Sequence, residues 1–138
     1  MNRFDLQKMA EERVADAAVL LDAGRFHAAY YLCGYAVEYA LKACIARQVR
    51  EFDFPDRKVV NDSYVHDLTK LLNVSRLAQL HRDEVDQSDS FAENWVIVTQ
   101  WSEASRYDAA ITKTAATALF LAATDPTDGV LTWLKKYW

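Results

Sequence analysis

The feature that most constrains this chain is the stretch 24–50, GRFHAAYYLCGYAVEYALKACIARQVR, which is apolar almost all the way round a helix. A helix that is hydrophobic on every side is either a membrane span or the centre of a bundle. Its few polar residues decide between the two. On an ideal helical wheel, His27, Tyr31, Gly34, Glu38 and Lys42 share an arc of roughly 80°, with Cys33 and Cys44 on the far side. A lipid-facing span does not carry an ionised Glu–Lys pair near its middle without a partner inside a membrane bundle. No second long apolar run supplies one. The stretch therefore reads as a buried central helix with no membrane association, and function is expected along its polar stripe.

The rest of the composition fits a helical protein. With 138 residues the chain makes a single domain, 1–138, long enough to bury a core. Three Gly and two Pro argue against a turn-rich β protein. The net charge of −4 gives no global electrostatic footprint for nucleic acid. The opening MNRFDLQKMAEERVADA is charged throughout and has no signal-peptide pattern. Cys33 and Cys44, eleven residues apart on one helix, are separated by a rise of roughly 16 Å, beyond disulfide reach. They read as small core residues in a reducing cytoplasm.

Taken in order, residues 2–23 place Leu6, Met9, Ala10, Val14, Ala17, Leu20 and Leu21 at three- and four-residue spacing, which predicts an amphipathic helix closed by Gly24 in the left-handed conformation. The short link makes it an antiparallel hairpin with the central helix. Residues 51–63, with Pro55, Asn61 and Asp62, read as a loop. A helix is expected over 64–73. A short one follows, capped by Ser75 and carrying Leu77, Leu80 and Val85, and then an acidic connection over 83–90. Further helices are expected over 91–104, with Trp95, Val98 and Trp101 on one side, and over 112–123. Asp125-Pro126 reads as a helix start, and a last helix covers 130–138. The fold class is an all-α, up-and-down bundle of about five helices, with no strand and no internal repeat.

Three places carry candidate chemistry. Glu38 and Lys42 at i, i+4 are either a surface pair, stabilising by about 0.3–0.5 kcal/mol, or a desolvated carboxylate that needs a cation. His66-Asp67 precedes a helix, where Asp67 favours the start. Arg106-Tyr107 follows a Trp-rich helix, and an Arg106–Glu38 pair across the bundle is the expected brace. Phosphate-cradling glycine loops, H-E-x-x-H, CxxC and G-x-S-x-G are absent, and His27, His66 and His81 have no ligand spacing. Neither metal nor cofactor is expected.

The run Asp22-Ala23-Gly24-Arg25-Phe26-His27-Ala28-Ala29-Tyr30-Tyr31-Leu32, continued by Gly34 to Glu38 and Leu41-Lys42-Ala43, resembles the HEPN domain family. His66-Asp67-Leu68, Leu71-Leu72 and Arg106-Tyr107 follow in the family's order, so the resemblance covers most of the chain. It implies a prokaryotic helical bundle that forms a homodimer, often partnered with a minimal nucleotidyltransferase in a toxin–antitoxin or defence module. A catalytic subset of the family are metal-independent ribonucleases with an R-x(4–6)-H motif completed across the dimer. There the Arg steadies the phosphate while the His moves a proton, so that the RNA 2′-hydroxyl attacks.

Arg76 and His81 meet that spacing literally, but in catalytic members the motif lies on a late helix. The corresponding place here holds Arg106-Tyr107-Asp108 with no His after it. On a straight helix Arg76 and His81 also stand about 140° apart. The expectation is therefore the non-catalytic branch, a binding and assembly module taking nucleotide or RNA through Tyr31, Glu38, Lys42, His66, Arg106 and Tyr107. Trp133, Tyr137 and Trp138 are the expected dimer contacts. The alternative is a ribonuclease toxin using Arg76 and His81.

Overall fold

The computed structural model describes residues 1–49 and 53–138, and among them the chain is all helix, without a strand. α1 (Arg3–Asp22) starts on a capping box in which Asn2 accepts from the Asp5 amide at 2.9 Å and Asp5 accepts from the Asn2 amide at 3.0 Å. It stops at Gly24, whose φ of +76° only glycine adopts without strain. The chain reverses there and α2 (Phe26–Arg47) runs back along α1, the most extensive helix pairing in the molecule. The buried face of α1 is Leu6, Ala10 and Ala17, and α2 buries Ala29, Ala36, Ala40 and Ala43 along one side.

α2 is the central helix the sequence predicts. It touches α1, α4 (Leu68–Val74), the 3-10 helix Glu103–Tyr107, α7 (Lys113–Thr124) and α8 (Val130–Leu134). α6 (Asp89–Thr99) packs on α7, and α5 (Ala78–Gln87) on α6. The core between them is filled by Leu41, Leu71, Phe91, Val98, Trp101, Leu119, Trp133 and Leu134, all buried. The Cys44 thiol faces the Leu134 carbonyl at 3.7 Å, and burial pushes both thiols up to about 12, which disfavours the thiolate at either cysteine. No described helix is long and apolar enough to cross a membrane.

Several boundaries differ from the sequence reading, each for a local reason. The predicted loop over 51–63 holds a helix, α3 (Arg57–Ser63). Asp56 caps it by accepting from the Lys58 amide at 2.8 Å, and a Lys58–Asp62 ion pair ties its exposed side. Pro55 and the Asn-Asp pair look like turn residues but flank a cap. Residues 50–52 lie outside the described part of the chain.

Two helices replace the acidic connection over 83–90, with Ser88 alone between them. It ends α5 and caps α6, accepting from the Phe91 amide at 3.0 Å. The acidic residues Asp83, Asp86 and Asp89 are simply the solvent face. Ser75 does not cap α5 but is buried and donates to the Leu72 carbonyl at 2.6 Å. Asp125-Pro126 opens no helix; Asp125 closes α7 and its carboxylate accepts from the Thr127 and Asp128 amides, holding a turn before α8. α8 ends at Leu134 rather than 138.

The boundary that matters most is α6. The expected helix over 91–104 stops at Thr99, and Trp101 turns in to lie against Gly34 of α2. A Cβ on Gly34 would sit inside the van der Waals radius of several indole atoms of Trp101. Gly34 thus sits in the polar stripe because the indole needs its backbone bare. Gly34→Ala should lower the unfolding free energy by about 1–3 kcal/mol, the range for overpacking a full core. Urea unfolding measures this, and adding Trp101→Leu should return part of the loss.

Candidate functional site

The polar stripe of α2 is the face on which the segment after α6 docks. At its start the His27 ring donates from Nε2 to the Ser105 carbonyl at 2.6 Å, pinning the 3-10 helix. Next come Tyr31 and Tyr35, edge to face at 5.0 Å, with Tyr35 also against Trp101 at 5.2 Å and His66 at 6.0 Å. Burial, the Tyr31 hydroxyl and the nearby Glu38 and Glu103 carboxylates push the Tyr35 phenol well above its ordinary value, so it stays protonated.

Glu38 is the centre of the site. It is 1% exposed, and the carboxylate is held from two sides. His66 Nδ1 donates to Oε1 at 2.8 Å and Lys42 Nζ to Oε2 at 3.3 Å. The desolvated reading of the Glu38–Lys42 pair is the observed one. The expected Arg106–Glu38 brace is not: His66 supplies the second cation-capable partner, arriving from the turn before α4 rather than from the 3-10 helix. Asp67 next to it caps α4 by accepting from the Lys70 amide at 2.9 Å.

The outer nitrogen of His66, Nε2, meets Glu103 Oε2 at 3.2 Å. One imidazole therefore joins α2, the turn before α4 and the 3-10 helix. His66 and Glu103 come from facing walls of an open cleft of about 480 Å³, also lined by Asp67, Thr69, Gln100 and Ser102. Arg106 points away from Glu38, with its guanidinium 4.7 Å over the Tyr107 ring. The Tyr107 and Tyr31 phenols beside it hold its charge more firmly than usual. Tyr107 is 78% exposed, so the pair forms a platform at the edge of the site.

The structure thus brings Glu38, Lys42 and His66 together, and sets Tyr31, Arg106 and Tyr107 beside them as a second group. Glu103 and Tyr35 were not singled out from the sequence. Tyr35 belongs to a Tyr31–Tyr35–Tyr39 ladder at i, i+4 that was available as a signal, whereas nothing local marks Glu103.

Arg76 and His81 are placed differently. Arg76 lies in the turn between α4 and α5 with φ of +60°, exposed, lining a shallow groove with Gln48 and Asp56. His81 lies on α5 in an aromatic box, its ring centroid 4.4 Å from Trp95, 5.6 Å from Phe91 and 5.8 Å from Trp133. Its Nε2 is buried without a partner.

Two outcomes follow. His66→Ala should destabilise the protein by about 1.5–3 kcal/mol through the lost charge-assisted bond to a buried carboxylate. In a Glu38→Leu background the same change should be nearly neutral, and a double-mutant cycle in urea measures the difference. His81 gives a pH dependence: burial holds its pKa below the ordinary imidazole value, with Arg82 adding to the effect. Above that ordinary value the ring is neutral folded or unfolded, and stability is unaffected. Below it the unfolded chain takes a proton that the folded chain resists, so stability falls with pH until the folded value is passed. Between about pH 7.5 and 5 the unfolding midpoint of the wild type should fall relative to that of His81→Leu.

Comparison with known proteins adds one finding. The family model described as HEPN domain matches residues 5–136, nearly the whole chain. No curated protein and no solved structure gives a match. The helical bundle, built on a central α2 and matched over nearly its whole length by that model, belongs to the HEPN family.

Proposed function

We propose that this chain is a binding and assembly member of its family, not a ribonuclease, and that it takes nucleotide or RNA at the Arg106–Tyr107 platform. The observation that carries this reading is the contrast between the two Arg-containing sites. At one, an exposed tyrosine ring lies under a guanidinium at 4.7 Å. Such a surface stacks a base while the Arg meets a phosphate. At the other, the His that would move a proton has its ring enclosed by three aromatic side chains, and Arg76 lines a different groove. Acid–base chemistry on a 2′-hydroxyl needs both groups within reach of one phosphate. In this reading Glu38, His66 and Lys42 do not touch the ligand; they hold the 3-10 helix on which the platform stands. A homodimer and a minimal nucleotidyltransferase partner are the assembly the family resemblance implies, and they belong to the same proposal.

The test is fluorescence anisotropy with a labelled single-stranded RNA at low salt, run beside an RNA-cleavage assay without metal. Tyr107→Ala and Arg106→Ala should each weaken binding by about tenfold, in line with the loss of one stacking or one phosphate contact. Arg76→Gly relieves a left-handed backbone position and keeps the fold, so it should leave binding unchanged. Metal-independent cleavage by the wild type, lost in both Arg76→Gly and His81→Ala, would replace this reading with the ribonuclease one.

A further inference from the structure

The contacts of His66 contain a requirement that the family assignment does not explain. Both ring nitrogens face carboxylates, Nδ1 at 2.8 Å from Glu38 and Nε2 at 3.2 Å from Glu103. An imidazole donates from both nitrogens only when it is protonated; the neutral ring has one N–H and one lone pair. With the neutral ring, the Nε2 contact turns from an ion pair into a lone pair set against the Glu103 carboxylate, while Nδ1 keeps its hydrogen bond to Glu38.

Burial decides which contact is given up. The Glu38 side chain is 1% exposed and cannot turn to water, so it retains the remaining N–H on Nδ1 together with Lys42. The Glu103 side chain is 43% exposed and loses little by leaving. Two further ties fix how far the segment can move. Trp101 stays packed on Gly34, and His27 holds the Ser105 carbonyl through Nε2, a contact that a neutral ring with its proton on Nε2 makes as well as a charged one. The other groups around His66 are Tyr35 on α2, which is kept protonated, and Asp67, which is engaged with the Lys70 amide. Arg106, at the far end of the 3-10 helix, is occupied with Tyr107 and Tyr31.

We propose that His66 is a proton-operated strap: doubly protonated, it ties Glu103 to Glu38 beside the cleft, and on losing a proton it releases the Glu103 end of the 3-10 helix and widens the cleft. Histidine is the side chain whose charge changes in the physiological range, which makes the strap a pH-responsive element. The moving part is small. The segment 102–104 swings away from the turn before α4 while Trp101 and Ser105 remain anchored, so the cleft widens without disturbing the core.

The experiment uses the full chain labelled with ¹⁵N. Imidazole nitrogen shifts report the protonation of His66 directly, and exchange of the Ser105 amide, which donates to the Ser102 carbonyl at 3.0 Å, reports the strap as a protection factor. Protection should fall by about two- to fivefold as His66 loses its second proton, the size expected for one half-exposed ion pair. Glu103→Ala should show the low protection at every pH. Glu103→Gln should be protected and insensitive to pH, because an amide can accept from the charged ring or donate to the neutral one. Glu103 is half exposed, so both variants keep the fold, and far-UV circular dichroism checks this. The proposal is overturned if protection stays constant while His66 titrates, if His66 keeps one protonation state from pH 5 to 9, or if Glu103→Ala retains the wild-type pH dependence.

Discussion

A carboxylate buried to 1% exposure in the middle of the longest helix is the constraint on which the arrangement depends. Glu38 cannot be left without donors, and α2 alone supplies only Lys42, one turn on. The second donor has to come from elsewhere in the chain. His66 comes from 28 residues away, and by doing so it fixes the turn that starts α4. Its other nitrogen then sets where the 3-10 helix can lie. One side chain thus touches three segments of the chain.

The apolar part of the design works through size. Gly34 admits the Trp101 indole, and a side of α2 opposite the stripe buries the small side chains Ala29, Ala36, Ala40 and Ala43. Trp101 in turn ends α6 early and leads the chain over the polar stripe, so a packing requirement delivers Glu103, Ser105 and Arg106 to the face where Glu38 and His27 wait. Neither the polar contacts nor the packing would place this segment alone. The ring on Gly34 gives its depth and the hydrogen bonds give its orientation.

Much of this was legible in the sequence, and the parts that were not have a common cause. The unbroken apolar run identified the central helix, and its wheel identified the stripe, because a helix of 22 residues has a strong period. Glu38 and Lys42 stood out as polar residues in an apolar helix, and His66 as the His-Asp pair that precedes a helix. The helix boundaries after residue 50 were less readable because caps and turns use the same residue types: Asp56 and Ser88 start helices, whereas Asp125 ends one. Glu103 and the misplaced partner of Glu38 were beyond reach for a different reason. Which cation meets a buried carboxylate depends on how distant segments cross, and no local pattern encodes that. An arginine after a Trp-rich helix was a reasonable candidate, but the chain turned at Trp101 and carried Arg106 past the site.

The two opposite faces of α2 set different terms for change. On the alanine face the buried side chains are small, so an added methyl has to displace packed neighbours. On the stripe Gly34 is held by volume and Glu38 by its donors. Relatives of this chain can therefore diverge along the stripe, exchanging one donor–acceptor set for another, while the opposite face admits only small residues. The fold and whatever the stripe has been adapted to do can vary independently, although both are written on a single helix.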